Sequence, residues 1–155
     1  MSGSGYEKEL SRQLADFLVP VLQRHSGIML LSDVFCLFNR ARGSELVSPS
    51  DVIKACSLWE RMRVPLRLHR FSNGVLAVMS SSFDTDKINR ALVELAREHA
   101  ETGIGVAEAA RVVGMAPAIA REQLLAAELQ GALCRDEAPD GMRWFVTPTE
   151  WRSVR

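Results

Sequence analysis

The chain has 155 residues and a formal net charge of zero, because 19 basic residues balance 19 acidic ones. Its 47% of hydrophobic and 25% of charged residues are typical of a folded globular protein, which excludes disorder of the whole chain. No stretch approaches the roughly 18 apolar residues that a membrane span needs, and we expect no secretory signal because residues 1–30 lack a basic region followed by an apolar run. The three cysteines lack C-x-x-C spacing. We therefore expect a cytoplasmic protein without a disulfide framework or a zinc site.

The chain starts with a linker-like run that precedes a long amphipathic helix. Residues 1–5 have the composition of a linker or a cloning remnant. Steps of three and four between apolar residues predict a helix from Glu7 to about His25, which Pro20 is expected to bend or restart. A short apolar run at 28–30 predicts a brief strand, and Ser32 is expected to cap a second helix that follows it.

A third helix and a β-hairpin complete the first half of the chain. Ser48-Pro49 is a strong helix start, and an apolar stripe continues from Pro49 to Arg63. The period of the apolar pattern then becomes two over 66–71, and Asn73-Gly74 predicts a tight turn into a return strand over 75–79. This order of helix, short strand, two helices and hairpin is the layout of a winged-helix domain.

The second half of the chain repeats the same order of segments, which is stronger evidence than any one segment. Its segments are a helix from about Asp84, a counterpart of the short strand at 103–105, helices over 106–113 and 117–130, and a hairpin over 133–146 with its turn at 139–141. We therefore predict an α+β, predominantly helical fold of two tandem winged-helix domains, over residues 6–82 and 83–155.

Patterns for catalysis, cofactors and metals are absent from the sequence. His25, His69 and His99 fit no metal-binding motif, and we expect His25 and His99 to contact the last carbonyls of their helices. The glycines at 103–105 are not followed by a P-loop lysine, and no G-x-S-x-G run is present. We therefore predict no enzyme, no catalytic residue, no cofactor and no metal site.

Nucleic-acid binding is the alternative function, because winged helices often place their third helix in the major groove of DNA. The two predicted third helices carry net charges of about +1 and −1, too little for the roughly six to ten phosphate contacts of ordinary DNA binders. Residues up to Ser82 carry ten basic and seven acidic side chains, against nine and twelve afterwards. The first wing is more suggestive, with basic side chains at Arg63, Arg67, His69 and Arg70, although such alternation is typical of a solvated strand face.

Aromatic residues in the second hairpin point to a protein interface. Trp144 and Phe145 are adjacent in the return strand, so one of them should face the core and the other should face outward beside Arg143. An outward aromatic beside an arginine is typical of a protein-binding surface. The alternative is that Trp151 folds back and covers the outward aromatic residue. The third tryptophan, Trp59, is expected in the core of the first half of the chain.

Several runs of residues resemble one protein family. The runs are V-F-C-L-F-N-R-A-R-G at 34–43, E-L-V-S-P at 45–49, V-P-L-R-L at 64–68, V-G-M at 113–115, L-L-A-A-E at 124–128 and L-C-R-D at 133–136. Over about residues 11–146, the chain resembles the C-terminal tandem winged-helix region of the vacuolar protein sorting-associated protein 36 family, the GLUE-domain subunits of the ESCRT-II complex.

The resemblance implies a scaffold subunit that helps to sort ubiquitinated membrane cargo into multivesicular bodies at the endosomal membrane. The implied partners are the paralogous subunit, vacuolar protein sorting-associated protein 22, and the small subunit, vacuolar protein sorting-associated protein 25. The small subunit's proline- and aromatic-rich N-terminus docks on the second winged helix. The family's lipid and ubiquitin contacts belong to the GLUE domain, which this sequence lacks, so we expect no direct membrane or ubiquitin binding by this segment. The low charge of the predicted third helices leads us to expect no nucleic-acid binding either.

Two partner surfaces follow from the residues and the resemblance together. The second wing should receive the small subunit, in an apolar pocket flanked by charges, through Arg135, Asp136, Arg143, Trp144 and Phe145. The first domain should meet the paralogous subunit through Asn39, Arg40, Arg42, Glu45 and Arg67. The reason is that its loop after Arg42 has no counterpart in the second repeat, and the alternative is a simple surface loop.

Overall fold

The computed structural model describes residues 3–152 and divides the chain into two compact units, with the boundary between Phe83 and Asp84. The first unit contains α1 (Gly3–Gln23), β1 (Ile28–Leu30), α2 (Leu31–Arg42), α3 (Pro49–Ser57), β2 (Leu66–Arg70) and β3 (Leu76–Ser80). The second unit contains α4 (Thr85–Glu98), α5 (Val106–Val113), α6 (Pro117–Leu129), β4 (Leu133–Ala138), β5 (Gly141–Val146) and α7 (Thr149–Arg152). Both units have the winged-helix order of elements, so the predicted fold is confirmed.

The core of the first unit is built on the inner face of α1. Leu10, Leu14, Leu18 and Leu22 are fully buried there, as the three- and four-residue steps predicted. Pro20 lies inside α1 and does not restart it, because the buried leucines on both sides hold the helix in place while only one backbone hydrogen bond is lost.

The start of α1 differs from the predicted linker. Gly3, Ser4 and Gly5 belong to the helix, since each residue added to an existing helix costs little and gains a hydrogen bond. The other two residues of the predicted linker, Met1 and Ser2, lie outside the described residues.

The helix starts of α2 and α3 were predicted with different success. Ser48 caps α3 as predicted, because its hydroxyl accepts a hydrogen bond of 3.1 Å from the backbone N–H of Asp51. Ser32 does not cap α2, and this prediction was wrong. The helix already begins at Leu31, directly after β1, and its first turn is fixed by the burial of that side chain rather than by a polar cap.

The end of α3 also differs from the prediction. The helix stops at Ser57 instead of continuing to Arg63, and the following residues form turns in which Arg63 has a φ of 56°. The turns carry Trp59 into the core, where its indole N–H donates to the carbonyl of Ser11 at 3.1 Å. A straight helix would satisfy local periodicity, but this long-range contact determines where the chain turns.

The hairpins match the predictions within one or two residues. In the first unit the strand order is β1-β3-β2, so β2 is an edge strand. In the second unit β4 pairs with β5, and Ile104 adds an isolated bridge to Trp144, which makes 103–105 the counterpart of β1. Among the described residues, no helix is long and apolar enough to cross a membrane.

Candidate protein-interaction surfaces

The pairing of β4 with β5 divides the five predicted contact residues between two faces of the second wing. Residues directly opposite each other share a face, and the register pairs Asp136 with Arg143 and Arg135 with Trp144. Because side chains alternate along a strand, Asp136, Arg143 and Phe145 share one face, whereas Arg135 and Trp144 lie on the other. The sequence could not divide them, since the alternation shows that neighbours differ but not which of them is buried.

Trp144 is the aromatic that faces the core. Its side chain is 1% exposed, and its backbone exchanges two hydrogen bonds of 2.9 Å with Ile104. The indole N–H has no hydrogen-bond partner in the part of the chain that the structure describes. Trp144 therefore offers no surface to a partner in the folded unit.

Phe145 is half-buried and packs over the backbone of Gly103. A Cβ atom at Gly103 would lie 2.8 Å from Cζ of Phe145, so only glycine leaves room for the ring. Trp151 is 63% exposed, which does not favour the alternative in which it folds back as a cover. Sequence reasoning identified 103–105 as the counterpart of the short strand and excluded a nucleotide loop there, but it missed that Gly103 makes room for an aromatic ring.

Arg143 connects this face of the wing to α5. Its Nη1 lies 2.8 Å from Oε1 of Glu108, and its Nη2 lies 3.0 Å from Oδ2 of Asp140. The hydrogen bond from Arg143 lowers the pKa of the Asp140 carboxyl, and both carboxylates raise the pKa of the guanidinium. On the other face, Nε of Arg135 lies 3.1 Å from Oε1 of Glu128 on α6. Both arginines therefore have partners within the unit.

Replacing Gly103 by alanine is expected to lower the free energy of unfolding of the second unit by about 2–3 kcal/mol. Its φ of 69° is strained for any L side chain, and the new Cβ would collide with Phe145. Gly105→Ala is the matched control, because its φ is −94° and its Cβ would meet Arg143 Nη1 at an ordinary 3.6 Å. Chemical denaturation followed by circular dichroism measures both; equal losses would contradict the packing of Phe145 on Gly103.

In the first unit, Asn39 and Arg42 hold the loop that follows α2. The Asn39 amide donates to the carbonyl of Val47 at 3.1 Å and accepts from the N–H of the same residue at 2.8 Å. Arg42 Nε donates to the Glu45 carbonyl at 2.6 Å, and its Nη1 donates to Gln13 Oε1 at 2.8 Å. Two of the five predicted contact residues, Asn39 and Arg42, are thus hydrogen-bonded within the first unit itself.

The side chains that this loop presents to solvent are different ones. Arg40 is exposed on α2, and the Glu45 side chain is 86% exposed although its carboxylate lies 3.5 Å from Arg42. Leu46, which sequence reasoning did not single out, is 66% exposed within the loop. Arg67 lies on a separate element, β2, where its Nη2 is 3.0 Å from Sδ of Met79.

The two histidines with described side-chain contacts have structural partners. His99 Nδ1 lies 2.9 Å from the carbonyl of Leu95, which confirms the predicted contact at the end of α4. His69 packs edge-on against Phe71 with ring centroids 4.7 Å apart. Burial and then the charge of Arg67 lower the pKa of His69 below its usual value.

The first unit is expected to lose stability as the pH falls below about 6.5, the pKa of an unfolded histidine. Because the pKa of His69 is lower in the folded unit, the unfolded chain binds more protons in this range, and protonation favours unfolding. Denaturation midpoints at pH 7.5 and pH 5.5 measure the difference. His69→Gln removes this part of the pH dependence, and an unchanged dependence in that variant would assign it to other groups.

Comparisons with known proteins agree on one family. The sequence model of the EAP30/Vps36 family matches residues 1–137. Vacuolar protein-sorting-associated protein 36 of Xenopus laevis is 39% identical over 144 residues, and the protein of that name in Homo sapiens is 40% identical over 144 residues. Each alignment covers 93% of this chain but only 37% of the relative, so the chain spans little more than a third of their length.

A solved structure shares the fold. A chain in the structure of the ESCRT-II endosomal trafficking complex superposes with a TM-score of 0.70 at 21% identity, over 93% of this chain and 92% of that chain. This similarity concerns the architecture of paired winged helices. The match of the family model over residues 1–137 shows that the chain belongs to the EAP30/Vps36 family.

Proposed function

We propose that the protein is a non-enzymatic scaffold subunit of an ESCRT-II complex, which acts at the cytosolic face of endosomes in sorting ubiquitinated cargo into multivesicular bodies. The observation that carries this proposal is the family match over residues 1–137, which includes both third helices and the first wing. Its partners would be vacuolar protein sorting-associated proteins 22 and 25, and its winged helices would serve protein assembly.

The charges of the third helices support protein assembly over DNA binding. Helix α3 carries Asp51 and Lys54, which cancel, and α6 carries Arg121 against Glu122 and Glu128. A recognition helix needs cationic or amide side chains that reach base edges, together with several phosphate contacts. Neither helix has a surplus of positive charge for that purpose.

We propose that the small subunit binds the face of the second wing that carries Asp136, Arg143 and Phe145. The ring of Phe145 is half-exposed and packs against the backbone of Gly103. Beside it, the ion pairs of Arg143 hold charged side chains in fixed positions. An aromatic surface beside an oriented polar rim fits an extended segment with apolar and aromatic side chains, which is the kind of segment expected of the small subunit. Trp144 is not part of this surface because it is buried, and Arg135 lies on the opposite face.

We propose that the paralogous subunit binds the loop after α2, which Asn39 and Arg42 hold in place. Because these two residues fix the loop, Leu46 and Glu45 are presented with little entropy left to lose on binding. Arg40 lies close in sequence on the exposed side of α2. In this proposal Asn39 and Arg42 position the contact residues, whereas Arg67 lies on a different element, β2, and is not part of this loop.

Assembly is tested by mixing the chain with the two other ESCRT-II subunits on a sizing column with light scattering, and separately with duplex DNA at physiological salt. A stable protein complex without a DNA shift supports the proposal, whereas a salt-sensitive DNA shift without protein association rejects it.

The small-subunit surface is tested within the same assay. Phe145→Ala should weaken binding of the small subunit at least tenfold, since a central aromatic anchor commonly contributes about 2 kcal/mol or more. Met142→Ala is the matched control, because Met142 is an exposed apolar residue of the same strand on the opposite face. Equal effects of the two changes would remove this face from the interface.

A further inference from the structure

The first wing carries a stretch without acidic residues. From Arg61 to Phe83 the sequence has four arginines and no aspartate or glutamate. All four side chains, at Arg61, Arg63, Arg67 and Arg70, are exposed. Within the described residues none of them forms an ion pair, in contrast to Arg42, Arg135 and Arg143.

The position of these arginines in the sheet concentrates their charge. Arg61 and Arg63 lie in the turns that lead into β2, and Arg67 and Arg70 lie on β2 itself. Because side chains alternate, Arg67 and Arg70 leave opposite faces of the edge strand β2, and the Arg67 guanidinium lies over β3 with its Nη2 3.0 Å from Met79 Sδ. Five strand residues span roughly 17 Å, so the backbone positions of Arg67 and Arg70 lie on one short strand at the border of the sheet, directly after the turns that carry Arg61 and Arg63. We call the residues Arg61, Arg63, Arg67 and Arg70 the arginine edge.

We propose that the arginine edge binds the anionic headgroups of a membrane surface. A lipid surface presents many phosphates and carboxylates in a plane, which suits exposed guanidinium groups that have no carboxylate partner, and each such residue strengthens binding by roughly fivefold. Four residues make this a weak contact that adds to the other contacts of an assembled complex. The proposal rests on the proposed function at the endosomal membrane, and it revises the expectation that this segment does not touch membrane.

Two other roles for the same residues are outcomes of the test. The first is protective, because arginines on an edge strand can prevent it from pairing with the edge of another sheet. Nucleic acid would also attract them, but the cancelling charges of α3 provide no reading element for a groove.

The test measures co-sedimentation of the whole chain with vesicles of phosphatidylcholine alone and of phosphatidylcholine mixed with phosphatidylserine, at low and at physiological salt. We expect binding only to the mixed vesicles, with a strong salt dependence. The double variant Arg67→Gln, Arg70→Gln should bind roughly 25-fold more weakly, from the fivefold effect of each residue. Arg111→Gln, Arg121→Gln is the matched control, because both arginines are exposed on the second unit without a described ion pair.

Several results would overturn the proposal. They are binding that ignores phosphatidylserine, equal losses in both double variants, and tighter binding to duplex DNA than to the mixed vesicles at equal phosphate concentration. Self-association of the Arg67→Gln, Arg70→Gln variant with unchanged vesicle binding would assign the residues to edge protection. Vesicle binding requires no other subunit, so its failure is distinguishable from a failure to assemble with the two partner subunits.

Discussion

Replacing Trp144 by alanine is expected to lower the free energy of unfolding of the second unit by about 3–5 kcal/mol. The indole is 1% exposed and stands between β4 and the short segment of Ile104, so its removal opens a cavity at the centre of the unit. A small domain has only about 5–15 kcal/mol of stability in total, so a large part of it would be lost. Loss of partner binding in this variant would therefore report unfolding and not a missing contact.

Hydrogen exchange followed by mass spectrometry measures the effect, because peptides from the two units report separately on each. Exchange should accelerate throughout residues 84–152 and should change little in the first unit. Trp144→Phe is the conservative control. It keeps an aromatic ring and removes an N–H that has no described partner, so we expect a loss of only about 1 kcal/mol. Slow exchange in Trp144→Ala would show that the side chain is not part of the core.

The second wing shows what the sequence predicts and where it stops. The hairpin and its turn within 139–141 were predictable from the Pro-Asp-Gly run, although only Pro139 and Asp140 form the turn because Ala138 pairs with Gly141. The choice between Trp144 and Phe145 was not predictable, since alternation has the same form in either register. A residue forty positions earlier, Ile104, determines it by pairing with Trp144, and the neighbouring Gly103 provides the seat for Phe145.

The loop after α2 shows a second kind of limit. Asn39, Arg42 and Glu45 were predicted as contact residues because polar side chains in an extra loop often meet a partner. The structure instead bonds Asn39 to both backbone groups of Val47 and bonds Arg42 to the Glu45 carbonyl. In a sequence, a polar side chain that fastens a loop is indistinguishable from one that binds a partner. The exposed apolar residue that such a loop presents, Leu46, becomes visible only with the coordinates.

Replacing Trp59 by alanine is expected to lower the free energy of unfolding of the first unit by about 3–5 kcal/mol. Its side chain is fully buried, and it joins the turns after α3 to α1 through the 3.1 Å hydrogen bond to the Ser11 carbonyl. Exchange should accelerate throughout residues 6–83 and should change little in the second unit. If exchange became faster only in the turns after α3, while the rest of the first unit stayed protected, these turns would unfold alone.

Trp59→Phe separates the hydrogen bond from the packing. It retains a buried ring but leaves the Ser11 carbonyl without its donor, so we expect a loss of about 1–3 kcal/mol. The Ser11 hydroxyl makes a different bond, of 2.8 Å to the carbonyl of Ala55. Because Trp59 donates to Ser11 itself, the costs of Trp59→Phe and Ser11→Ala should not add, and we expect a coupling energy of roughly 0.5–3 kcal/mol in the double-mutant cycle. Additive costs would contradict the idea that the two bonds hold α1 and the end of α3 together as one cooperative unit.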